Sequence, residues 1–580
     1  MSRRVAVIGY SFRFPGGHPD SFWQALLDKR DLITEVDPRR WSKEAFLHPK
    51  KEHPGSSYTF AAGTLGDIHG FDAEFFGLSP REVIQMDPQQ RLMLEMSWEA
   101  IENAGTVPSS LRGSDCGVFL GISSTDYAYR LADDLSSIDA ASATGAVPSI
   151  IANRISYLFD LHGPSMTMDT ACSSSLVAFH QACQSILSGE ANRALTGSIN
   201  LHLHPYAFLL FSKAGMLSPS GRSQVFDESG DGFVRSEGGG VFLLKEYSQA
   251  ISDGDRILAI VEGSAVNTDG NKSGLMVPNV NAQIDLMKQV YNRAGIAPDD
   301  IDYLEAHGTG TAVGDPIESQ AIGAALGIRR SSPLPIGSVK SNLGHLEAAS
   351  GVAGLVKALL SIEHRKVPAT IGITKLNSNI QFDEWNIEVI QETRQLSDKK
   401  PIIVGVNSFG FGGANAHVIL SSPASVSSSQ VATVSHLKRR LPLRISARSS
   451  QALQVAAGNF AKLLSEDDRK RKLYDITWCA HYRREHHNHG LLVFAETSEE
   501  TASALRQFSE QGSSESVHLG NRVSDVNGPV FVYSGNGSQW ETMGRHLLLD
   551  SPVFRRAVQK VDDLFQPYGE FSLVEELLGN

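Results

Sequence analysis

The sequence has few cysteines and fewer basic than acidic residues, and both features exclude classes of protein. Only four cysteines occur in 580 residues, and none of them forms a Cys-x-x-Cys pair. This usage excludes a disulfide-rich secreted domain and favours a reducing compartment with free thiols. Lysine and arginine number 52 against 64 acidic residues, giving a formal charge of -12. Such a chain lacks the basic surface of a general nucleic-acid binder, so no nucleic-acid partner is expected.

Long apolar runs are also missing. No stretch reaches the length of a bilayer-spanning helix, and the first apolar run is interrupted at Gly9, too early for the core of a signal peptide. The chain is therefore expected to be cytoplasmic, without a membrane partner.

The glycine-rich loops fit no nucleotide site. The loop GTGTAVG lacks the Lys-Ser/Thr ending of a P-loop, and GFGGAN breaks the dinucleotide spacing, so no bound cofactor is expected. No metal is expected either. The histidine-rich run EHHNHG, with His486, His487 and His489, has no supporting cysteine or carboxylate constellation, and it is predicted to be a solvated polar turn.

The length and the apolar pattern indicate two or three folded units. Residues 1–425 alternate strand-like apolar runs with helical segments, which is typical of an α/β domain. Strands are predicted at residues 5–9, 116–121, 165–169, 303–306, 334–339 and 402–406. Several of these strands end in loops rich in Gly, Ser or Thr, where α/β sheets bind their ligands.

A boundary and two later segments follow the α/β domain. The small polar residues between about 421 and 438 predict a connection. Residues 426–525 then contain a small α/β unit, with a strand and an amphipathic helix that are each repeated once. The last segment, residues 526–580, is too short for an independent enzyme domain, so the chain is expected to be part of a longer polypeptide.

Cys172 is the first candidate for chemistry. It lies at a predicted strand-to-helix turn, where unpaired backbone N–H groups and the positive end of the helix dipole favour a thiolate. On position alone, a buried structural cysteine fits as well. The other cysteines, Cys116, Cys183 and Cys479, lie inside apolar patterns and are predicted to be structural.

Two histidines occur at similar strand-to-loop junctions, each next to a glycine. They are His307 in EAHGTGT and His345 in KSNLGHLEAASG. A packing histidine would explain either one alone, but the two imidazoles together could donate hydrogen bonds to an enolate formed by decarboxylation. One cysteine and two histidines thus form a coherent catalytic set.

These motifs resemble those of type I polyketide synthase ketosynthases. The resemblance includes DTACSSSL around Cys172, the two histidine motifs and NSFGFGGANAHVIL near 407–420, and it covers residues 1–425. It implies a thiolase fold, with two similar α/β halves stacked as five layers. It also implies a homodimer that uses the phosphopantetheine arm of an acyl carrier protein, on the same or a separate chain.

The resemblance further implies roles for individual residues. Cys172 would take an acyl chain, while His307 and His345 would assist decarboxylation of a malonyl-type extender. Phe411 would supply an oxyanion-hole N–H together with Cys172, and Lys340 would support the histidines. Thr309 and Thr311 would contact the pantetheine arm, although both could simply satisfy backbone groups in a tight turn.

Residues 426–525 resemble the linker between ketosynthase and acyltransferase, and PVFVYSGNGSQWETMG resembles the start of an acyltransferase. No GxSxG nucleophile elbow occurs, so the acyltransferase serine is expected beyond Asn580, with further domains of the longer polypeptide. The rival functions are a non-elongating ketosynthase, a decarboxylating loading domain and a cysteine hydrolase. The intact histidine pair opposes the first, Cys172 opposes the second, and release of free acid would identify the third.

Overall fold

The computed structural model describes residues 3–17, 19–423, 442–466, 472–522, 532–533 and 535–579. They fall into two compact units, Met1–Asn521 and Arg522–Asn580. Most of the connection predicted at 421–438 lies outside the described residues. Within the described ranges, no helix is both long and apolar enough to cross a membrane.

The strands of the first unit are β1 (Val5–Arg13), β2 (Thr34–Glu35), β3 (Ala61–Gly63), β4 (Gly117–Gly121), β5 (Ser165–Met168), β6 (Arg193–Asn200), β7 (Arg235–Ser236), β8 (Gly238–Glu246), β9 (Ala259–Thr268), β10 (Tyr303–Glu305), β11 (Leu334–Gly337), β12 (Lys366–Val367), β13 (Ile387–Val389), β14 (Arg394–Gln395), β15 (Ile403–Phe409), β16 (Ala414–Ser421), β17 (Leu443–Ala447), β18 (His489–Val493) and β19 (Val517–Asn521). All six strands predicted for the first domain are present, with ends that differ by up to four residues.

The helices of the first unit are α1 (Pro19–Leu27), α2 (Lys43–Phe46), α3 (Ala73–Phe76), α4 (Pro80–Gln85), α5 (Pro88–Asn103), α6 (Asp126–Ala132), α7 (Ser142–Gly145), α8 (Pro148–Phe159), α9 (Ser174–Ser188), α10 (Tyr206–Ala214), α11 (Tyr247–Ser252), α12 (Val280–Ala294), α13 (Gly314–Ala325), α14 (Lys340–Leu343), α15 (Ser350–His364), α16 (Ser450–Ser465), α17 (Leu473–Tyr482) and α18 (Ser498–Gln511). The second unit contains α19 (Arg545–Asp550), α20 (Pro552–Phe565) and α21 (Leu573–Leu578).

The main sheet has eleven strands in the order β13-β11-β10-β15-β16-β9-β1-β8-β6-β4-β5. Outward from β1, the pairings with β8, β6, β4 and β5 are antiparallel, antiparallel, parallel and parallel. Outward from β9, the pairings with β16, β15, β10 and β11 follow the same sequence. The two halves therefore share one topology, and they join where β1 pairs antiparallel with β9.

Helices form three layers around these two half-sheets. The outer helices α5 and α8 pack on the first half, while α12 and α13 cover the second. Between the halves lie α9 and α15, and α15 is buried from Ser350 to Ile362. This is the five-layered thiolase arrangement predicted from the motifs. The helix α15 of the central layer carries apolar residues on nearly all of its faces, because each face packs against the sheet or against α9.

The small α/β unit predicted after the main domain is present as a three-stranded antiparallel sheet, β17-β18-β19, with α16 and α18 packed together. One face of α16 carries Leu453, Ala457 and Ala461, which follow each other about one helical turn apart. This face shares a buried apolar cluster with Leu505 and Phe508 of α18. The helix α17 and the strand β19 are additional elements of this unit.

Candidate active site

The turn that carries Cys172 joins β5 to α9. Ala171 has a φ of +56°, a left-handed conformation that is costly for a residue other than glycine. Its N–H donates to the Oδ1 of Asp169 over 2.8 Å, which holds the turn. Cys172 lies in the short 3-10 turn Ala171–Ser173, immediately before α9 begins at Ser174. The strain and the small flanking side chains lift the cysteine out of the regular strand and helix.

Side chains of α15 and β15 form hydrogen bonds to the backbone of Cys172. Its carbonyl oxygen accepts hydrogen bonds from the hydroxyls of Ser350 and Ser408, each over 2.8 Å. The backbone N–H groups of Phe411 and of Cys172 itself point at the Cys172 sulfur. Gly410 permits this approach, because a Cβ there would lie 2.5 Å from the carbonyl oxygen of Thr170. Two backbone N–H donors thus lie beside the sulfur of Cys172.

The surroundings of Cys172 bear on its charge state. Burial raises the pKa of the thiol to about 12, and the nearby Glu347 carboxylate adds to the effect. The Phe411 N–H and the Lys340 ammonium lower the pKa, but by less. Burial thus opposes the thiolate that the helix N-terminus was predicted to favour, and the charge state of Cys172 stays a prediction to be tested. Cys172 lies in the 3-10 turn directly before α9, and burial disfavours the charged form of its thiol.

His345 is held in one tautomer. Its Nδ1 accepts a hydrogen bond from the backbone N–H of Glu347 over 3.0 Å, so the ring proton resides on Nε2. Burial, followed by the positive charges of Lys340 and Arg235, lowers the pKa of His345 well below its ordinary value. The imidazole is therefore neutral at physiological pH and offers one N–H donor. Phe233 packs edge-on against it, with 5.0 Å between the ring centroids.

His307 faces His345, with the ring centroids 5.4 Å apart and the planes nearly perpendicular. Burial and the Lys340 ammonium lower the pKa of His307 well below its ordinary value, so this ring is neutral as well. Its backbone is fixed by Glu318 of α13, whose carboxylate accepts the N–H groups of His307 and Gly308 over 2.7 Å each. Glu318 belongs to the motif that follows the histidine, but the sequence did not mark it as a site residue.

Lys340 lies behind the two histidines. Its Nζ donates to the carbonyl oxygen of His307 over 2.6 Å, and the side chain is 4% exposed. Burial lowers the pKa of Lys340, while the carboxylates of Glu305 and Glu318 counteract that shift. The lysine therefore contacts the loop of His307, and its positive charge acts on both imidazoles. Its supporting role in the reaction stays a prediction.

A cavity of about 380 Å³ brings most of the predicted residues together. It is lined by Cys172, His307, Thr309, Thr311, His345 and Phe411, and Lys340 is the one predicted site residue that does not line it. The hydroxyls of Thr309 and Thr311 lie 3.1 Å apart, and the Oγ1 of Thr311 also accepts the N–H of Gly314. Exposed apolar side chains, including Met276 and Val313, lie along the same cavity.

A second cavity of about 230 Å³ also meets Cys172. It contains neither histidine. Its apolar wall includes Leu210, Phe211 and Phe233, and its polar wall includes Arg235 and Glu347. Cys172 therefore lies at the junction of two cavities, one that holds the imidazoles and one that does not.

The other cysteines and the histidine run differ in outcome. Cys116 and Cys183 are buried, as predicted for structural residues. Cys479 is exposed on α17, so the prediction of a packed cysteine is wrong there. The predicted solvated turn is wrong for His487, whose ring stacks on Trp98 of α5, with 6.0 Å between the centroids. Among the described residues, no group of three or more metal-ligating side chains is placed to hold a metal ion.

Comparisons with protein families match four segments of the chain. Residues 2–250 match the beta-ketoacyl synthase N-terminal domain, residues 258–374 its C-terminal domain and residues 377–514 the ketoacyl-synthetase C-terminal extension. Residues 530–580 match an acyl transferase domain.

Among solved structures, the oxazolomycin ketosynthase domain OzmH KS7 of Streptomyces albus has a TM-score of 0.83 at 35% identity, with 90% of each chain covered. The ketosynthase from module 6 of the Bacillus subtilis bacillaene synthase has a TM-score of 0.80 at 29% identity, covering 99% of this chain and 96% of that one.

Curated relatives are much longer than this chain. A phenolphthiocerol/phthiocerol polyketide synthase protein of Mycobacterium tuberculosis is 42% identical over 582 residues, which is 100% of this chain but 31% of that protein. Another protein of the phenolphthiocerol/phthiocerol polyketide synthase, from Mycobacterium bovis, is 40% identical over 580 residues, covering 99% of this chain and 32% of that protein. The chain thus spans about a third of the length of the curated relatives it matches.

Proposed function

Because the chain belongs to the β-ketoacyl synthases of polyketide synthases, we propose that it extends acyl chains by decarboxylative condensation, with Cys172 as the nucleophile. The observation that carries this proposal is the shared cavity, in which Cys172 meets the two neutral imidazoles of His307 and His345. The substrates arrive on the phosphopantetheine arm of an acyl carrier protein, either on the same chain or on a separate one.

In the first half-reaction, the Cys172 sulfur attacks the thioester carbonyl of the incoming acyl group. The new thioester bond forms at Cys172, the bond to the pantetheine sulfur breaks, and the thiol proton leaves with the pantetheine sulfur. The N–H groups of Cys172 and Phe411 bind the oxyanion of this step. Since the pKa of the free thiol is raised to about 12, proton removal accompanies the attack rather than preceding it.

In the second half-reaction, a malonyl-type extender occupies the cavity of the histidines. Loss of carbon dioxide leaves an enolate on the extender thioester, and neutral imidazoles donate hydrogen bonds to its oxygen. The proton on Nε2 of His345 suits this role because its Nδ1 is already engaged. The enolate carbon then attacks the acyl carbonyl and expels the Cys172 sulfur, which gives a β-ketoacyl thioester on the carrier protein.

The two cavities suggest where each substrate lies. Since the extender must reach the histidines, the first cavity takes the extender, and its Thr309 and Thr311 hydroxyls contact the pantetheine arm. The acyl chain on Cys172 then extends into the second cavity. A non-elongating role is less well supported because both imidazoles lie in the same cavity as the nucleophile.

An edge strand supports the proposal of a homodimer. β5 ends the main sheet, and within the part of the chain that the structure describes it pairs with β4 alone. Its residues are partly to largely exposed, with Met166 43% exposed, whereas β4 is buried throughout. An unpaired edge of this kind is a template for pairing with another copy of the strand. Light scattering at micromolar concentration is expected to give the mass of a dimer, and a monomer would contradict this assignment.

The remaining proposals concern the rest of the polypeptide. We propose domains at 1–425 for the ketosynthase, 426–525 for the linker and 526–580 for the start of the acyltransferase. No GxSxG motif lies within the 580 residues, so the extender is supplied by a serine elsewhere in a longer polypeptide or by a partner. A cytoplasmic location remains a proposal that rests on the cysteine usage.

The test uses an acyl thioester, malonyl carrier protein and mass spectrometry of both proteins. The native chain is expected to gain the acyl mass on Cys172 and then to form the ketoacyl carrier protein. Cys172→Ala is expected to lose both signals. Normal accumulation of acyl-enzyme and ketoacyl product by that variant would refute the assignment, and release of free acid without malonyl carrier protein would indicate a hydrolase.

A further inference from the structure

The second cavity places a carboxylate close to the nucleophile. Glu347 and Arg235 line it together with Cys172, and the guanidinium grips the carboxylate with two contacts, one of them 2.9 Å between Nη2 and Oε2. The two partners differ in access. The Arg235 side chain is 1% exposed, whereas the Glu347 side chain is 14% exposed. The carboxylate is therefore the member of the pair that is more open to the cavity.

Arg235 lines the cavity, but the packing of its side chain leaves little of it exposed. Its guanidinium lies over the Phe208 ring at 4.5 Å and also contacts Phe211. The backbone of Arg235 forms a parallel bridge with His345, so the strand of Arg235 is anchored to the catalytic loop. The pair is thus held in one orientation, in which the negative partner is more exposed than the positive partner.

Glu347 is held by its backbone as well. Its φ is +52°, a left-handed conformation, and its N–H donates to the Nδ1 of His345. A side chain anchored at both ends has little freedom to leave the cavity. The negative field of this carboxylate reaches the sulfur, since Glu347 raises the pKa of Cys172 even though Arg235 is paired with it.

Two further acidic residues line the same cavity, Asp126 and Asp169. Asp126 accepts the N–H groups of Leu203 and His204, and Asp169 accepts hydrogen bonds from the Ser123 hydroxyl and the Ala171 N–H. Against these three acids, Arg235 is the one basic residue among the lining residues. The acidic side chains that line the cavity therefore outnumber the basic one, which disfavours an additional negative charge there.

We propose that Glu347 is a specificity-determining residue that excludes acyl groups with an anionic end from Cys172. This inference rests on the proposed function and names its substrate class, which is uncharged acyl chains. A malonyl or succinyl group transferred to Cys172 would place its carboxylate in the second cavity, against Glu347. The malonyl extender is thereby kept off the nucleophile and reacts only from the cavity of the histidines.

The test compares two thioesters on N-acetylcysteamine that share the same four-carbon acyl backbone, succinyl and the monomethyl ester of succinyl. Acylation of Cys172 is followed by intact mass, and the readout is the ratio of the two rates within each protein. The native chain is expected to prefer the ester strongly. Glu347→Gln keeps the shape of the side chain without its charge, and it is expected to reduce the preference by about tenfold, as an effective dielectric near 20 would give for partly compensated charges.

Glu347→Asp is the matched control because it keeps the charge, and its preference for the ester is expected to stay close to that of the native chain. An unchanged ratio in Glu347→Gln would overturn the inference, as would a native chain that accepts both thioesters equally. The native comparison keeps the inference falsifiable even if Glu347→Gln fails to fold, because equal acceptance of both thioesters by the native chain would already overturn it. Failure of Cys172 to take up even the ester would instead refute the proposed function, and the inference with it.

Discussion

The titration of Cys172 is the property that departs most from what its position suggests. Its pKa is raised to about 12 from an ordinary value of 9.0, first by burial and second by Glu347. At pH 7 the thiolate fraction is then about one in 10⁵, instead of about one in 10² for an ordinary cysteine. Alkylation by iodoacetamide, which requires the thiolate, should therefore be about a thousandfold slower than for a free thiol of equal access.

The assay is the rate of alkylation between pH 7 and 10, followed by mass. Cys479 is exposed, so Cys479→Ser provides the background, and Cys172→Ala in that background measures reaction at the buried thiols. The rate should rise about tenfold for each pH unit without levelling off, because the whole range lies below the pKa. A plateau with a midpoint near pH 7 would refute the reasoning and would restore the thiolate that a helix N-terminus favours.

Three substitutions test other parts of the structure. Gly410→Ala would place a Cβ 2.5 Å from the Thr170 carbonyl oxygen, so the Phe411 loop must shift. Acylation of Cys172 is therefore expected to slow by at least about tenfold. An unchanged acylation rate would contradict the oxyanion hole. Lys340→Met is expected to retain acylation of Cys172 but to lose most of the condensation, measured as ketoacyl product, because Lys340 contacts the backbone of His307. Equal loss of both steps would point to misfolding. Trp98→Ala removes the ring on which His487 stacks, and it should lower the free energy of unfolding measured in urea by about 2 kcal/mol, less than the loss of a fully buried tryptophan. An unchanged free energy of unfolding would contradict the packing of His487 on Trp98.

Local sequence patterns predicted the scaffold well. The strand before Cys172 and the strands before His307 and His345 could be read from apolar runs that end in small residues, and the family motifs supplied the thiolase topology. The joint placement of three residues also anticipated that they would share one cavity. These features depend on short segments whose periodicity and turn residues act locally.

Electrostatics could not be read in the same way. The pKa of Cys172 depends on its burial against the second half of the fold and on the charge of Glu347. Glu347 comes close to Cys172 only because the loop of His345 packs beside the cysteine in the folded chain. Glu318 follows His307 by eleven residues in the sequence, but its hydrogen bonds require α13 to lie under the His307 loop. Long-range packing of this kind leaves no periodic signal in the chain.

The histidine run shows the same limit. His487 was predicted in a solvated turn because its neighbours are polar, yet its ring packs on Trp98 from a distant part of the sequence. Cys479 shows the converse, because its apolar neighbours predicted a structural cysteine, yet it lies on the exposed face of α17. Which side of a short helix is covered depends on the partner that docks there, and one sequence does not specify that partner.

The central claim is that Cys172 acylation and the histidine pair together drive a decarboxylative condensation. It is tested most directly by counting carbon dioxide released from malonyl carrier protein labelled in its free carboxyl group, alongside acyl-enzyme and ketoacyl product. The account predicts one carbon dioxide for each ketoacyl thioester in the native chain. His307→Ala is expected to acquire the acyl group on Cys172 but to release no carbon dioxide above background. Normal condensation by His307→Ala, or loss of its acylation alone, would contradict the account.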